Sequence, residues 1–268
     1  MSPGGLSAAS RSQLSQLLRG SPPIVTPTHA AAALGLTPEA AARRLAAWSR
    51  SGWLARIRRG AYVPVPIESE SADVALDDAW SVAATMFAPC YVGGWSAAEH
   101  WGLTEQLFRS ICVMTATRPR ARQLVLRKAR FELHTVAVAQ FIGMKTVWRG
   151  GTRVQVSDPA RTLIDMLADP ALGGGIRSVA EMLASLFHDQ PKEAAKLAGY
   201  AAIGSGAVSK RLGFLLQRDH PGQAALIESC RARLTAGYAK LDPALPANRL
   251  VTAWRVWVPA SELREAHA

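Results

Sequence analysis

The chain's 268 residues, 49% hydrophobic and 19% charged, suffice for two domains with a buried core and exclude a disordered or fibrous protein. A net charge of +11 and an isoelectric point near 10.3 point to a polyanionic partner, because Lys and Arg that neutralise phosphates release condensed counterions. An Arg- and Ala-rich genome would also give such a surplus, so the placement of the charge has to decide. Cys90, Cys112 and Cys230 are far apart and form no CxxC, which suits reduced thiols. The first six residues lack a basic and apolar leader, and no run reaches the ~18 apolar residues of a membrane helix. A cytoplasmic protein without membrane association is expected.

Helical spacing of Leu14, Leu17 and Leu18 predicts a first helix over 9–18, stopped by Gly20-Ser-Pro-Pro23. Thr26 is placed to cap a second helix that opens on Pro27 and ends at Leu34-Gly35. After the turn at Gly35-Leu36, Thr37 caps a third helix with Pro38 first and Glu39 in its opening turn, running to about Arg50. Strand-like Arg56-Ile57, a turn at Arg58-Arg59-Gly60, and Ala61–Pro64 follow. Residues 66–78 turn acidic and small, as a linker does. A helix is predicted at about 75–87, and then a short one capped by Ser96 with Glu99 completing a capping box. Strands are predicted at Ile111–Ala116, Phe131–Val136, Lys145–Val147 and Val154–Val156. Asp158-Pro159 opens an amphipathic helix, broken at Gly173-Gly-Gly175. Residues 176–236 read as helical, and Leu250–Val258 as a last, loosely alternating strand.

The predicted class is α+β. A winged helix-turn-helix spans 1–66, a linker 67–80, and a mixed α/β C-terminal domain 81–268, strands first and then a helical lobe. Ala41, Leu45 and Trp48 make the buried stripe of the third helix. The opposite face carries Ala40, Arg43, Arg44, Ala47 and Arg50. Small residues let such a helix enter the major groove of duplex DNA, and Arg reaches guanine edges or phosphates. The wing adds Arg56, Arg58 and Arg59 around Gly60 for backbone contacts. Residues 1–66 hold eight basic residues and one acidic, Glu39, so the surplus sits where a DNA-binding module is predicted. The expected DNA-binding set is Thr37, Pro38, Ala40, Arg43, Arg44, Arg50, Arg56, Arg58, Arg59 and Gly60. Arg43 and Arg44 are assigned to the groove, and Thr37 to a phosphate at the helix N-terminus. Arg118, Arg120, Arg122, Arg127, Lys128 and Arg130 crowd a stretch between two predicted strands. They are either a solvated loop or a second nucleic-acid contact, to flanking DNA or to RNA.

Four segments together resemble the AbiEi family of antitoxin-repressors from type IV toxin–antitoxin systems. They are the wing, Leu54-Ala-Arg-Ile-Arg-Arg-Gly-Ala-Tyr-Val63; Tyr91-Val-Gly-Gly-Trp-Ser-Ala-Ala-Glu-His-Trp-Gly-Leu-Thr-Glu-Gln106; Val156-Ser-Asp-Pro-Ala-Arg-Thr-Leu-Ile-Asp165; and Ser209-Lys-Arg-Leu-Gly-Phe-Leu-Leu216 with the later Lys240-Leu-Asp-Pro-Ala-Leu-Pro246 and Trp254. The resemblance implies an N-terminal domain that binds inverted repeats in its own promoter; a homodimer on DNA is the expected form. It implies a C-terminal antitoxin domain opposing a nucleotidyltransferase-like toxin without a stable complex. Read by themselves, those segments are mostly structural. Asp158 is an N-cap, and Arg161 can pair with Asp165 at i+4. His100 and Trp101 pack. Lys210-Arg211 is a solvated face or a contact.

No enzyme is expected. The six histidines show no metal-ligand spacing, and no P-loop, HExxH or GxSxG occurs. Gly173-Gly174-Gly175 is a cap loop. Asp158, Asp165 and Asp169 are a dense acidic group, but they lie on or beside one helix and lack a partner lysine on a strand. No cofactor, metal or catalytic residue is assigned. The alternatives are a nuclease-like enzyme targeted by the winged helix and a plain transcription factor.

Overall fold

The computed structural model describes residues 7–19, 23–65, 78–149 and 151–262. The predicted linker at 66–78 lies, apart from Asp78, outside the described residues, as do Gly20-Ser-Pro22 of the first helix stop. In chain order come α1 (Ala8–Leu18), α2 (Pro27–Leu34), α3 (Pro38–Arg50), β1 (Leu54–Arg58), β2 (Ala61–Pro64), α4 (Ala79–Met86), β3 (Cys90–Val92), α5 (Gly94–His100) and β4 (Ile111–Thr115). Next are β5 (Gln123–Leu126), β6 (Ala129–Thr135), β7 (Met144–Arg149), β8 (Thr152–Ser157), α6 (Pro159–Ala168) and α7 (Ile176–Asp189). The chain ends with α8 (Pro191–Ala194), α9 (Leu197–Ala202), α10 (Gly206–Asp219), α11 (Ala224–Arg231), β9 (Ala239–Lys240), β10 (Arg249–Val251) and β11 (Val256–Val258). The fold is α+β, with N-terminal helices followed by strands.

Contacts divide the chain into two compact units. The first takes residues 1–90, 115–135 and 146–155; the second takes 91–114, 136–145 and 156–268.

In the first unit, local chemistry sets the three N-terminal helices. Thr26 and Thr37 Oγ1 accept the backbone N–H groups of His29 and Ala40, and Pro27 and Pro38 stand at the first helical positions. Gly35 leaves α2 at φ 64°, which frees the Gly35 and Leu36 N–H groups to bond Ala31 O and sets the turn into α3. Leu14, Leu17, Ala30, Ala41, Leu45 and Trp48 close the core, and the Trp48 indole donates to Ser10 Oγ at 2.8 Å. β1 and β2 form an antiparallel wing, and Val25 bridges Tyr62 through two backbone bonds. β5 and β6 form a second hairpin from Gln123↔Glu132 to Leu126↔Ala129. Phe131 of that hairpin meets Phe87 edge-on at 5.6 Å.

In the second unit, β3 lies between β4 and the end of β8, with Val92 and Val156 paired in parallel. Helices α6, α7 and α10 supply about half of a large core that includes Leu163, Leu167, Met182, Leu212 and Trp254. A small sheet in the order β10-β11-β9 ends the chain.

Three expectations are corrected. Ser96 does not cap a helix: α5 starts two residues earlier, at Gly94 after Gly93, and Ser96 Oγ accepts from Cys112 N inside the core. Only glycine suits that entry, because Gly94 takes φ 51° and a Cβ there would lie 2.7 Å from Cys112 Sγ. The terminal strand is two strands: a turn at Thr252–Trp254 and Arg255 at φ 52° fold it back on itself. That turn drives Trp254 against Gly213, where a Cβ would lie 2.0 Å from the ring. The basic stretch 118–130 is not a plain loop, since it contains β5 and the turn into β6.

Candidate nucleic-acid interface

α3 presents its cations unequally. Arg43 and Arg50 are exposed, as are Thr37, Pro38 and Glu39 at its start, and Ala40 is half-buried. Arg44 is half-buried and reaches back to α1. Its Nη1 donates to Gln13 Oε1 at 2.6 Å, and its guanidinium stands 5.9 Å from the Trp48 ring. Arg43 is therefore the free groove candidate, while Arg44 also ties two helices together. Thr37 Oγ1 spends its lone pair on Ala40 N at 3.3 Å, which leaves its hydroxyl proton for an incoming acceptor.

The wing turn lies at Arg59-Gly60, with Gly60 at φ 73°. Arg56, Arg58 and Arg59 are exposed, and Arg56 Nε donates to Arg58 O across a register shift in β1. Among the described residues Arg43, Arg50, Arg58 and Arg59 form no ion pair, so no described carboxylate competes with a phosphate for them.

The first unit also gathers the second basic stretch. Arg118, Arg120, Arg122, Lys128 and Arg130 are exposed, Arg127 is half-buried, and β5–β6 carries the last three. Sixteen of the 31 basic residues fall in the first unit against seven of the 20 acidic ones, a net of +9 out of +11. A uniform genomic bias would not leave the larger second unit near neutral. Arg149 and Arg153 belong to this unit and were not singled out from the sequence. They stand 4.9 Å and 5.1 Å from the Trp80 and Trp148 rings. The signal that could have found them is the turn Trp148-Arg-Gly-Gly-Thr-Arg153 between two strand-like runs.

Three helices, a glycine turn, a cationic third helix and a basic wing are the parts of a DNA-binding winged helix. Residues 12–65 match the AbiEi family model, described as transcriptional regulator, AbiEi antitoxin. This AbiEi segment runs from α1 through the wing, so it contains every residue of the DNA-binding set expected from the sequence. Over 96% of this chain and 94% of the other, the fold is similar to the crystal structure of the RV2827C protein from Mycobacterium tuberculosis, with a TM-score of 0.61 and 18% identity. At that identity the likeness is one of fold alone. No curated protein sequence matches the chain.

Outside the AbiEi segment, the residues of the other resembling stretches are engaged in the second unit's architecture. Asp158 caps α6: Oδ1 accepts from Arg161 N at 2.8 Å, and Oδ2 takes Tyr200 Oη at 2.8 Å and Lys196 Nζ at 3.3 Å. Asp165 accepts from Arg161 Nη2 at 2.6 Å and from Tyr91 Oη at 2.9 Å, all three buried. Burial outweighs the opposing pull of Arg161 and the Tyr91 hydroxyl and leaves the Asp165 carboxyl raised to about 6. Arg161 Nε is buried and has no hydrogen-bond partner among the described residues. Asp169 caps the turn after α6 by accepting from Ala171 N. Asp158 and Asp165 thus both engage Arg161, through its backbone and its side chain, while Asp169 serves the turn after α6. Among the described residues no His, Cys, Asp and Glu group could hold an ion.

The choice left open for Lys210 and Arg211 resolves to packing. Both are buried. Lys210 Nζ donates to Thr235 Oγ1 and Gly237 O, and Arg211 donates to Leu167 O, Ala168 O and Lys240 O. Arg211 thereby places a cation on the last carbonyls of α6, where the helix dipole is negative. Trp101 packs as expected and donates to Ser157 O at 2.6 Å. No helix among the described residues is long and apolar enough to cross a membrane.

Proposed function

We propose that the chain is a sequence-specific DNA-binding repressor of its own operon and the antitoxin of a type IV toxin–antitoxin pair. The observation that carries this reading is the exposed Arg43 and Arg50 face of α3 together with a wing whose arginines are exposed, inside the segment that matches AbiEi regulators. α3 enters the major groove, Arg43 reads base edges, and Arg56, Arg58 and Arg59 hold phosphates. The operator is an inverted repeat bound by a homodimer. The protein is cytoplasmic; the module within residues 1–66 reads DNA, and the domain over 81–268 opposes a nucleotidyltransferase-like toxin without a lasting complex. The protein does no chemistry of its own on DNA. Supporting that point, Asp158, Asp165 and Asp169 are each committed to a structural partner.

The test has two arms. A reporter driven by the chain's own upstream region should be repressed by the wild type and released by Arg43→Ala. Co-expression with an adjacent nucleotidyltransferase-like gene should restore growth. A reporter indifferent to the protein would sink the repressor reading, and unrelieved growth arrest the antitoxin reading. Cutting of labelled duplex in Mg²⁺ would favour a nuclease instead.

A further inference from the structure

The second basic stretch lies next to the wing, and the contact sits within one compact unit. The register of β5 and β6 leaves Arg127 and Lys128 alone to make the hairpin turn. Two-residue hairpin turns demand positive φ and favour Gly or Asn for that reason. Arg127 adopts φ 49° with a long side chain, a conformation that L residues with a Cβ enter at a cost. Its Nη2 donates to Arg56 O in β1 at 3.3 Å. The hairpin tip therefore stands beside the wing strand that carries the first wing arginine. Leu126, Phe131 and Leu133 are buried, and Val125 opposite Arg130 faces outward, with Val125 63% exposed. Lys128 and Arg130 are exposed and form no ion pair among the described residues.

We propose that the β5–β6 hairpin is a second phosphate-binding arm of the same interface, gripping duplex DNA that flanks the sequence read by α3 and the wing. This rests on the reading that α3 and the wing bind duplex DNA. Exposed cations gathered on one hairpin raise the local potential, which its single carboxylate, Glu132, only partly offsets, and phosphates that replace condensed counterions relieve it. The duplex is favoured over single-stranded RNA because the hairpin exposes no aromatic ring for a base to stack on: Phe131 is buried and His134 half-buried. The backbone at Arg127 supplies the functional argument. Glycine would fit φ 49° without strain, so the arginine is kept for its guanidinium, which reaches Arg56 O and sets the cationic hairpin beside the wing.

The experiment uses the purified full chain and two duplexes from its own upstream region. One is trimmed to the protected sequence; the other is extended by about one helical turn, ~10 bp, on each side. Affinities are measured over a salt series. The variant Arg127→Gly/Lys128→Ala/Arg130→Ala should lose about 0.9 of salt slope per phosphate contact, or about 2.7 in all, on the extended duplex. Its binding to the trimmed duplex should be unchanged. Arg127→Gly alone should show an unchanged or higher Tm with about one unit of slope lost. Wild-type slopes on both duplexes for the triple variant would overturn the proposal. So would a lowered Tm with a normal slope for Arg127→Gly, or a loss confined to a single-stranded RNA probe of the same length. If the wild type bound neither duplex, the DNA reading beneath the proposal would fail with it, whereas failure of the arm alone leaves trimmed-duplex binding and its sensitivity to Arg43→Ala intact.

Discussion

Arginine has two opposite uses in this chain, and burial separates them. Arg211 is a structural cation: it donates to Leu167 O, Ala168 O and Lys240 O from inside the core. Arg211→Met leaves those carbonyls unpaired and should cost about 1–3 kcal/mol in urea unfolding; an unchanged midpoint would contradict this. Arg43 is exposed and ties nothing together, so Arg43→Ala should leave Tm unchanged and cost about 1–3 kcal/mol of specific binding. Arg44 should do some of each, since Arg44→Ala removes its bond to Gln13 as well as a cation. Sequence alone could not sort these three: Lys210-Arg211 and Arg43-Arg44 are both basic pairs on helices, and only long-range packing shows which is enclosed. Glu262 offers a pH test. Burial pushes its carboxyl up, but hydrogen bonds from Arg177 and Arg218 outweigh that and hold it below the ordinary value of 4.5. A lowered value in the folded state means the clamp stabilises fully above pH 4.5 and weakens as pH falls through the depressed value. The protection factor of the Glu262 amide, taken against the intrinsic exchange rate at each pH, should fall in that acid range in the wild type, and Glu262→Gln should flatten this dependence.

At the scale of elements, what was legible is what is local. Thr26, Thr37 and Asp158 each cap the helix expected of them, because a cap needs only a side-chain oxygen and the next three residues. Thr37→Ala should therefore cost about 1 kcal/mol of stability; a calorimetric Tm equal to wild type would show that the cap is not holding α3. Elements decided by distant partners were misread. Ser96 looks like a cap in sequence, yet its hydroxyl serves Cys112 sixteen residues on. β5 hides among arginines because only Gln-Leu-Val-Leu marks it, and its pairing with β6 is what makes it a strand. The terminal strand breaks because Trp254 must fill the space that Gly213 leaves open. Gly213→Ala puts a methyl into that ring and should destabilise by about 1–3 kcal/mol or more, read by denaturant unfolding.

At the scale of the molecule, charge and fold divide together. The first unit holds +9 and the second +2 of the total, although the second is the larger. The N-terminal part of that division was visible in the sequence as eight basic residues against Glu39 over 1–66. The return of residues 115–135 and 146–155 to the same unit was not, because no local pattern encodes which hairpin packs beside which wing. The central claim is that this surplus serves sequence-specific duplex binding through α3 and the wing. Dissociation constants of the full chain for its own upstream duplex and for a scrambled duplex of equal length, measured across a salt series, test it most directly. The account predicts that both affinities fall with salt, that the native duplex is bound about 10³-fold or more tightly near physiological salt, and that Arg43→Ala erodes this ratio. Equal affinity for the two duplexes at every salt concentration would contradict it.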